Sequence, residues 1–263
     1  MRTLYILSLA LLLACGSLWL GKLEKIKKFP ALILALIFLT MGGGFLTASV
    51  LPDYLIYGAT VTNLQNKSLS QKEAKSIALT FDDGPYEPYT SLLLEQLKEK
   101  NVQATFFIIA EQAEKHPEVL QKIVAAGHTL GLHQYKHVDS LKLSSAELKE
   151  SLTKGKDLLE KISGKKVKFY RPCHGFRDGV TLSVAKDLGL TVVNWDTIPR
   201  DWTLIGADEI TRRVVNDARS GSIVLLHDGD SPTYTHPRME TVKAVPKIID
   251  ELRAQGYTFV KLE

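Results

Sequence analysis

The sequence predicts an α/β protein: a small, distorted (β/α) barrel of seven strands, preceded by an N-terminal helical region of membrane type. Three observations carry this. Two uncharged runs, Thr3 to Gly21 and Phe29 to Pro52, fill most of the first 52 residues of a 263-residue chain. From Ser76 onward, short β-rich apolar runs alternate with segments of helical period, the pattern of parallel βαβ units. Seven such strands between residues 76 and 263 suit an incomplete barrel, since a full eightfold one takes about 250 residues.

Taken in order, the two uncharged runs come first. Each is long enough to cross a hydrocarbon core of about 30 Å at about 1.5 Å per residue. Between them GKLEKIKK carries four lysines in a short loop, and lysine-rich short loops stay cytoplasmic. The expected topology is a hairpin with everything after Pro52 outside, which puts the protein at the cell membrane with an extracytoplasmic domain. The glycines Gly42-Gly43-Gly44 weaken helix propensity in the second run. Two rival readings remain: Leu12-Leu13-Ala14-Cys15 resembles a lipoprotein cleavage box, and a cleaved secretory signal is the third reading. All three send the remainder out of the cytoplasm. Residues 1–52 are thus read as an anchor, the polar, aperiodic stretch 53–75 as a linker, and 76–263 as one domain.

Within that domain the expected strands are 77–81, 104–110, 129–133, 168–172, 191–195, 222–227 and 257–262, and the expected helices are 90–100, 117–127, 145–162, 185–190, 208–221 and 240–256. Ser144 or Ser145 is available to cap the third helix, and Gly127 ends the second.

Charge excludes one partner class. The chain carries 33 basic and 29 acidic residues, a net +4, and residues 1–52 hold Arg2, Lys22, Lys25, Lys27 and Lys28 against Glu24, also +4. The remainder is formally neutral, which gives no support for nucleic-acid binding. The sequence contains no CxxC metal pattern, and Cys15 and Cys173 lie too differently placed to expect a disulfide. No protein partner is predicted.

In parallel barrels chemistry gathers at the C-terminal ends of strands. Those ends carry Asp82 and Asp83; His133 and, in the following loop, His137; Arg171 with Pro172-Cys173-His174-Gly175; Asp196 and Asp201; and His227-Asp228. The adjacent pair Asp82-Asp83 closes a strand in TFDDGP, where burying unpartnered acids costs several kcal/mol by order of magnitude, about 2–7 for even a neutral polar group. Asp-Asp-Gly-Pro is also good surface-turn chemistry. His133 and His137 stand i, i+4, so on a helical turn their rings share one face, although HxxxH is common by chance. With a carboxylate they make a His₂-carboxylate set suited to zinc or another divalent ion.

TFDDGP, then HQYKH, RPCHG, DWT and LLHD in that order, resembles the five-motif pattern of polysaccharide deacetylases of the NodB-homology group, carbohydrate esterase family four, across about residues 76–263. The resemblance implies a distorted barrel of NodB-homology type that removes N-acetyl groups from amino sugars of a polysaccharide, with a divalent ion: zinc first, cobalt, nickel or manganese as alternatives. It implies Asp83, His133 and His137 as metal ligands and Asp82 as catalytic base. It implies Arg171 as the residue orienting that base, His227 as general acid and Asp201 as the residue positioning it. Trp202 and Leu225 match hydrophobic residues around the acetyl methyl, and the backbone N–H at His174 matches an oxyanion donor. Three positions depart from the pattern: Gln134 where Ser or Thr is usual, Cys173 where Pro is usual, and His174 where an aromatic is usual. Cys173 and His174 are read as packing residues, with stray metal ligation as the alternative. Deformylation of a lipid-linked sugar and a noncatalytic glycan-binding module are the other functional readings.

Overall fold

The computed structural model describes residues 2–22, 28–51, 57–67 and 75–263. Seven parallel strands, β1 (Ser76–Asp82), β2 (Thr105–Ile108), β3 (Thr129–Leu132), β4 (Phe169–Tyr170), β5 (Thr191–Val192), β6 (Ile223–His227) and β7 (Thr258–Phe259), form one sheet in the order β5-β4-β3-β2-β1-β6. The short β7 pairs only with Ser76 and Ile77, below the stretch Ala78–Asp82 that β6 takes. Every strand lies within or within one residue of its expected range.

Strand β1 explains the placement of the chemistry. Its residues alternate in facing: Ile77, Leu79 and Phe81 pack with the helices, while Ala78 joins the inner cluster of Val61, Leu64, Phe107, Phe169, Val193, Trp195, Ile223, Leu225 and Leu262. Thr80 and Asp82 share Ala78's face, so Asp82 points into the barrel mouth.

Helices cover the outside: α3 (Tyr89–Glu99), α4 (Ala110–Lys115), α5 (Pro117–Ala125), α6 (Ser145–Ser163), α7 (Gly179–Asp187), α8 (Ala207–Asp217) and α9 (Met239–Ala254), numbered after the N-terminal α1 (Arg2–Lys22) and α2 (Lys28–Val50), which pack along one another. Helix α6 starts with a capping box, in which Ser144 accepts from the Glu147 N–H and Glu147 accepts from the Ser144 N–H. Two helices differ from expectation. Residues 185–190 were expected to be helical, but the helix runs from Gly179, because Asp178 caps it by accepting from the Thr181 N–H at 2.9 Å. The expected strand 104–110 ends at Ile108, and helix α4 begins at Ala110.

Strands β5 and β6, at the two ends of the sheet, do not pair along their length, and the gap is spanned from an unexpected quarter. Part of the expected tether docks there. Val61 bridges to Val193 and Asn63 to Ser222, beside a Thr197–Val224 bridge. Val61 and Leu64 are buried in the inner cluster. The amide of Asn63 also donates to Asp196, which accepts the Ile223 N–H as well. Residues 57–65 are therefore part of the folded body, their apolar positions too sparse to register as a strand. The remainder of that stretch, 53–56 and 68–74, lies outside the described residues, as do Pro52 and the lysine-bearing residues 23–27.

Candidate active site

Asp82 ends β1 and sits in register beside His227, which ends β6. Its Oδ1 accepts from Arg171 Nη1 at 2.7 Å. Arg171 is fully buried, and four of its five N–H donors are engaged: Nη1 also donates to Thr80 Oγ1, Nε to the Val193 carbonyl and Nη2 to the Asn194 carbonyl, while the guanidinium lies 4.0 Å from the Phe107 ring centroid. The carbonyl and hydroxyl partners fix the guanidinium, and its single Nη1 contact in turn holds Asp82 Oδ1. Burial raises the Asp82 carboxyl above its ordinary range, opposed by the charges of Arg171 and His227.

Asp83, next in sequence, points elsewhere because its backbone is left-handed, φ 77°. A Cβ on the following Gly84 would lie 2.0 Å from Asp228 Oδ2, so only glycine fits there. Asp83 Oδ1 lies 3.5 Å from Nε2 of both His133 and His137 and is a buried oxygen without a hydrogen-bond partner. Burial raises this carboxyl to about 7. Both imidazoles are driven the other way, His133 well below its ordinary range and His137 to about 3, in each case first by burial. They are therefore neutral, as ligands must be. The Nδ1 of His133 lies 2.7 Å from the Arg171 carbonyl. A carbonyl can only accept, so Nδ1 carries the proton and Nε2 presents a lone pair. An orphaned buried carboxylate oxygen facing two neutral imidazoles fits a divalent cation.

The two histidines do not share a helical turn. Residues 133–139 form a bent loop, with Gln134 at φ 87° forbidding a helix, yet the ring centroids stand 5.5 Å apart. Gln134 explains how: its Nε2 donates to the Val138 carbonyl and its Oε1 accepts from Ser140 and Tyr170, tying the loop that carries His137. Cys173 Sγ also lies within 4.8 Å of the ligating atoms of both histidines. Its thiol donates to the His133 carbonyl at 3.3 Å, and burial keeps it protonated, well above its ordinary range. Both cysteines are free.

Across the mouth, His227 Nδ1 and its backbone N–H both engage Asp201, at 2.8 Å each, and Thr241 donates to Asp201 at 2.9 Å. Burial would raise Asp201, but the positive charge and hydrogen bond of His227 outweigh it and hold the carboxyl low. Burial would lower His227, but the charge and hydrogen bond of Asp201, then Asp83 and Asp82, raise it to about 9. Asp196, the neighbouring acid, is engaged instead by Asn63, Arg219 and the Ile223 N–H.

Asp82, Asp83, His133, His137 and His227 line one cleft of about 790 Å³ together with Leu225, Trp202 and His174. Trp202 meets the His227 ring edge-on at 5.2 Å. His174 is left-handed at φ 57°, and its Nδ1 is held by Asp139 at 2.6 Å. Thus eight of the ten residues singled out in the sequence line this cleft, Arg171 and Asp201 lie buried behind Asp82 and His227, and Asp228 turns away to accept from the Gly84 N–H and Thr90.

The sequence and the fold are both similar to those of known proteins. The model of the family described as polysaccharide deacetylase matches residues 70–193. A peptidoglycan-N-acetylglucosamine deacetylase of Bacillus cereus is 37% identical over 188 residues, covering 71% of this chain and 85% of the relative. The chain belongs to the polysaccharide deacetylase family. A chitooligosaccharide deacetylase of Azorhizobium caulinodans is 31% identical over 194 residues, 71% of this chain and 92% of the relative. Among solved structures, the Bc1960 peptidoglycan N-acetylglucosamine deacetylase superposes with a TM-score of 0.67 at 35% identity, covering 71% of this chain and 86% of that one.

For a polysaccharide deacetylase, the loop after β6 adds residues the sequence motifs did not single out. Ser231 N–H donates to Asp83 Oδ2, Tyr234 OH donates to the Asp83 carbonyl, and the Asp230–Arg238 ion pair lines the cleft. Gly229-Asp230-Ser231-Pro232 reads as ordinary turn chemistry, so only its position after a catalytic strand end hinted at this.

Proposed function

We propose that this chain is a divalent-metal-dependent N-deacetylase acting on the amino sugars of an extracytoplasmic polysaccharide, peptidoglycan first, with residues 76–263 as its catalytic domain and α1 and α2 as a membrane anchor. The observation that carries the reading is the unpartnered Asp83 Oδ1 facing His133 and His137, directly beside an Asp82 locked by Arg171. The names of the relatives support the substrate class. For the anchor, Leu32–Val50 is an apolar helix long enough to cross a bilayer.

Held by Asp83, His133 and His137, a divalent ion, zinc for this ligand set, would supply Lewis acidity toward the acetyl carbonyl and make nearby water more acidic. Asp82 accepts the proton of the water that attacks the carbonyl carbon. Arg171 keeps the carboxylate aimed there and stabilises its charged form. The His174 N–H is the backbone donor for the oxyanion, a class of donor worth about 10² to 10³ in rate. The C–N bond then breaks, and His227 gives its proton to the amine nitrogen, releasing acetate and a free amino sugar. Asp201 keeps His227 protonated and its Nε2 turned toward the cleft. Leu225 and Trp202 enclose the acetyl methyl.

The test is acetate release from peptidoglycan fragments, chitin oligomers and poly-N-acetylglucosamine, with zinc, cobalt, nickel or manganese added. Wild type should release acetate from at least one, and Asp82→Asn should fall by about 10² to 10⁴, the usual worth of a general base. Undiminished release after complete chelation would refute the metal-dependent reading, and no release from any glycan would refute deacetylation.

A further inference from the structure

The anchor does not merely tether the catalytic domain; it is built into the wall of the cleft. Val50, the last residue of α2, lines the same cleft as Asp83 and His227. Arg177, just beyond the RPCHG motif and 1% exposed, grips that helix end: its backbone N–H donates to the Ser49 carbonyl at 3.0 Å and its Nη1 to the Leu51 carbonyl at 2.7 Å, while Nε donates to Thr60. These carbonyls are among the last of a helix, which have no partner within it. Ser49 is itself fully buried, and its hydroxyl lies 3.1 Å from the Phe45 carbonyl and 3.2 Å from the Tyr57 hydroxyl, which donates to that same carbonyl. Helix α1 touches the turn Ser140–Lys142, which follows Asp139 on the cleft rim.

The span leaves little slack. Leu32–Val50 has 19 residues, about 28 Å at about 1.5 Å per residue, against a hydrocarbon thickness of about 30 Å. Spanning the bilayer therefore places Val50 at the edge of the hydrocarbon and the cleft mouth in the head-group region. An independent feature agrees. From residue 57 onward, the large hydrophobic side chains left exposed among the described residues are Trp202 and Leu204. Trp202 is on the cleft, and tryptophan favours the membrane–water boundary.

We propose that the cleft is docked against the bilayer surface and takes its N-acetylated amino sugar from a membrane-anchored saccharide, a short glycan joined to a lipid, in preference to the same sugar free in solution. This rests on the deacetylase reading and on the spanning reading of α2.

The experiment uses the full chain in phosphatidylglycerol–phosphatidylethanolamine vesicles, supplied with zinc, and an N-acetylated oligosaccharide presented either on a polyprenyl lipid in the same bilayer or free in solution. A second protein combines a flexible glycine-serine insertion of about 20 residues between Leu51 and Tyr57 with Arg177→Ala, which removes the side-chain hold on the helix end and lets the domain leave it, with Asp82, Asp83, His133, His137 and His227 unchanged. Wild type should show kcat/KM at least about tenfold higher for the lipid-borne sugar, as expected of a substrate held at high local concentration in a fixed geometry. The second protein should reduce that ratio by at least about fivefold while leaving kcat/KM for the free sugar within about twofold. A ratio near one in wild type, or one unchanged in the second protein, would overturn the proposal and leave deacetylation standing. Acetate from neither substrate would overturn the deacetylase reading and this one with it.

Discussion

The two halves of the cleft are built on opposite principles. On the proton-transfer side every charge is answered: Asp82 by Arg171, His227 by Asp201, and Asp201 again by Thr241 and a backbone N–H. On the other side, Asp83 Oδ1 is buried with no partner, and two neutral imidazoles face it. Burying an unpaired polar group costs about 1–3 kcal/mol, and a fold tolerates that where a ligand completes the site. On the function proposed above, the difference separates the half that is finished in the chain itself from the half that a cation would complete. Backbone strain does not follow that division: Asp83, Gln134 and His174 are left-handed on one side, and Arg200 and Leu204, which flank Asp201 and Trp202, on the other.

The contrast can be broken from the finished side first. His227→Ala removes the proposed proton donor to the amine and should lower acetate release by about 10² to 10⁴, with metal content unchanged by elemental analysis. Next in size, Arg171→Ala strands Asp82 as a buried charge without its partner. A loss of about 3–5 kcal/mol in chemical denaturation is expected, as for breaking a buried ion pair.

The pH profile sharpens the comparison without destroying it. His227 is raised to about 9, so it keeps its proton below that pH and loses it above. Activity should therefore fall on the alkaline side, and Asp201→Asn, which removes the charge holding the proton, should move that fall toward lower pH. The same linkage gives stability that is fully present below the ordinary histidine value of about 6.5 and is lost as pH rises through about 9. An alkaline limb in the same place for both proteins would separate Asp201 from the proton's energetics. The smallest effect is expected at Thr90→Val, which removes a hydroxyl donor to the buried Asp228. It should cost about 1–3 kcal/mol of stability and leave metal affinity untouched, since Asp228 supports the turn and not the ion site.

Much of this was legible in the sequence because parallel strands are short, apolar and end at one rim. Asp82, His133, Arg171 and His227 each follow or close a hydrophobic run, so strand ends and site residues were found together. What escaped depends on contacts distant in sequence. Asn63 and Val61 carry no strand signal, since their pairing partners, Ser222 and Val193, lie far down the chain. The choice between Asp196 and Asp201 as the partner of His227 was equally local in the sequence, and only packing decides it: Asp196 is taken by Asn63 and Arg219. His133 and His137 meet through a loop tied by Gln134 rather than through helical periodicity. Tyr234 and Ser231 sit in a polar turn with no period, and nothing in their own residues points to Asp83.

The division of labour between adjacent aspartates is the centre of this account, and zinc titration calorimetry on wild type, Asp83→Asn and Asp82→Asn tests it most directly. Asp83→Asn should weaken zinc binding at least about tenfold, the scale of a coordination-shell loss, whereas Asp82→Asn should bind zinc at the wild-type stoichiometry, within about threefold in affinity, while releasing almost no acetate. Zinc lost with Asp82→Asn and retained with Asp83→Asn would contradict it.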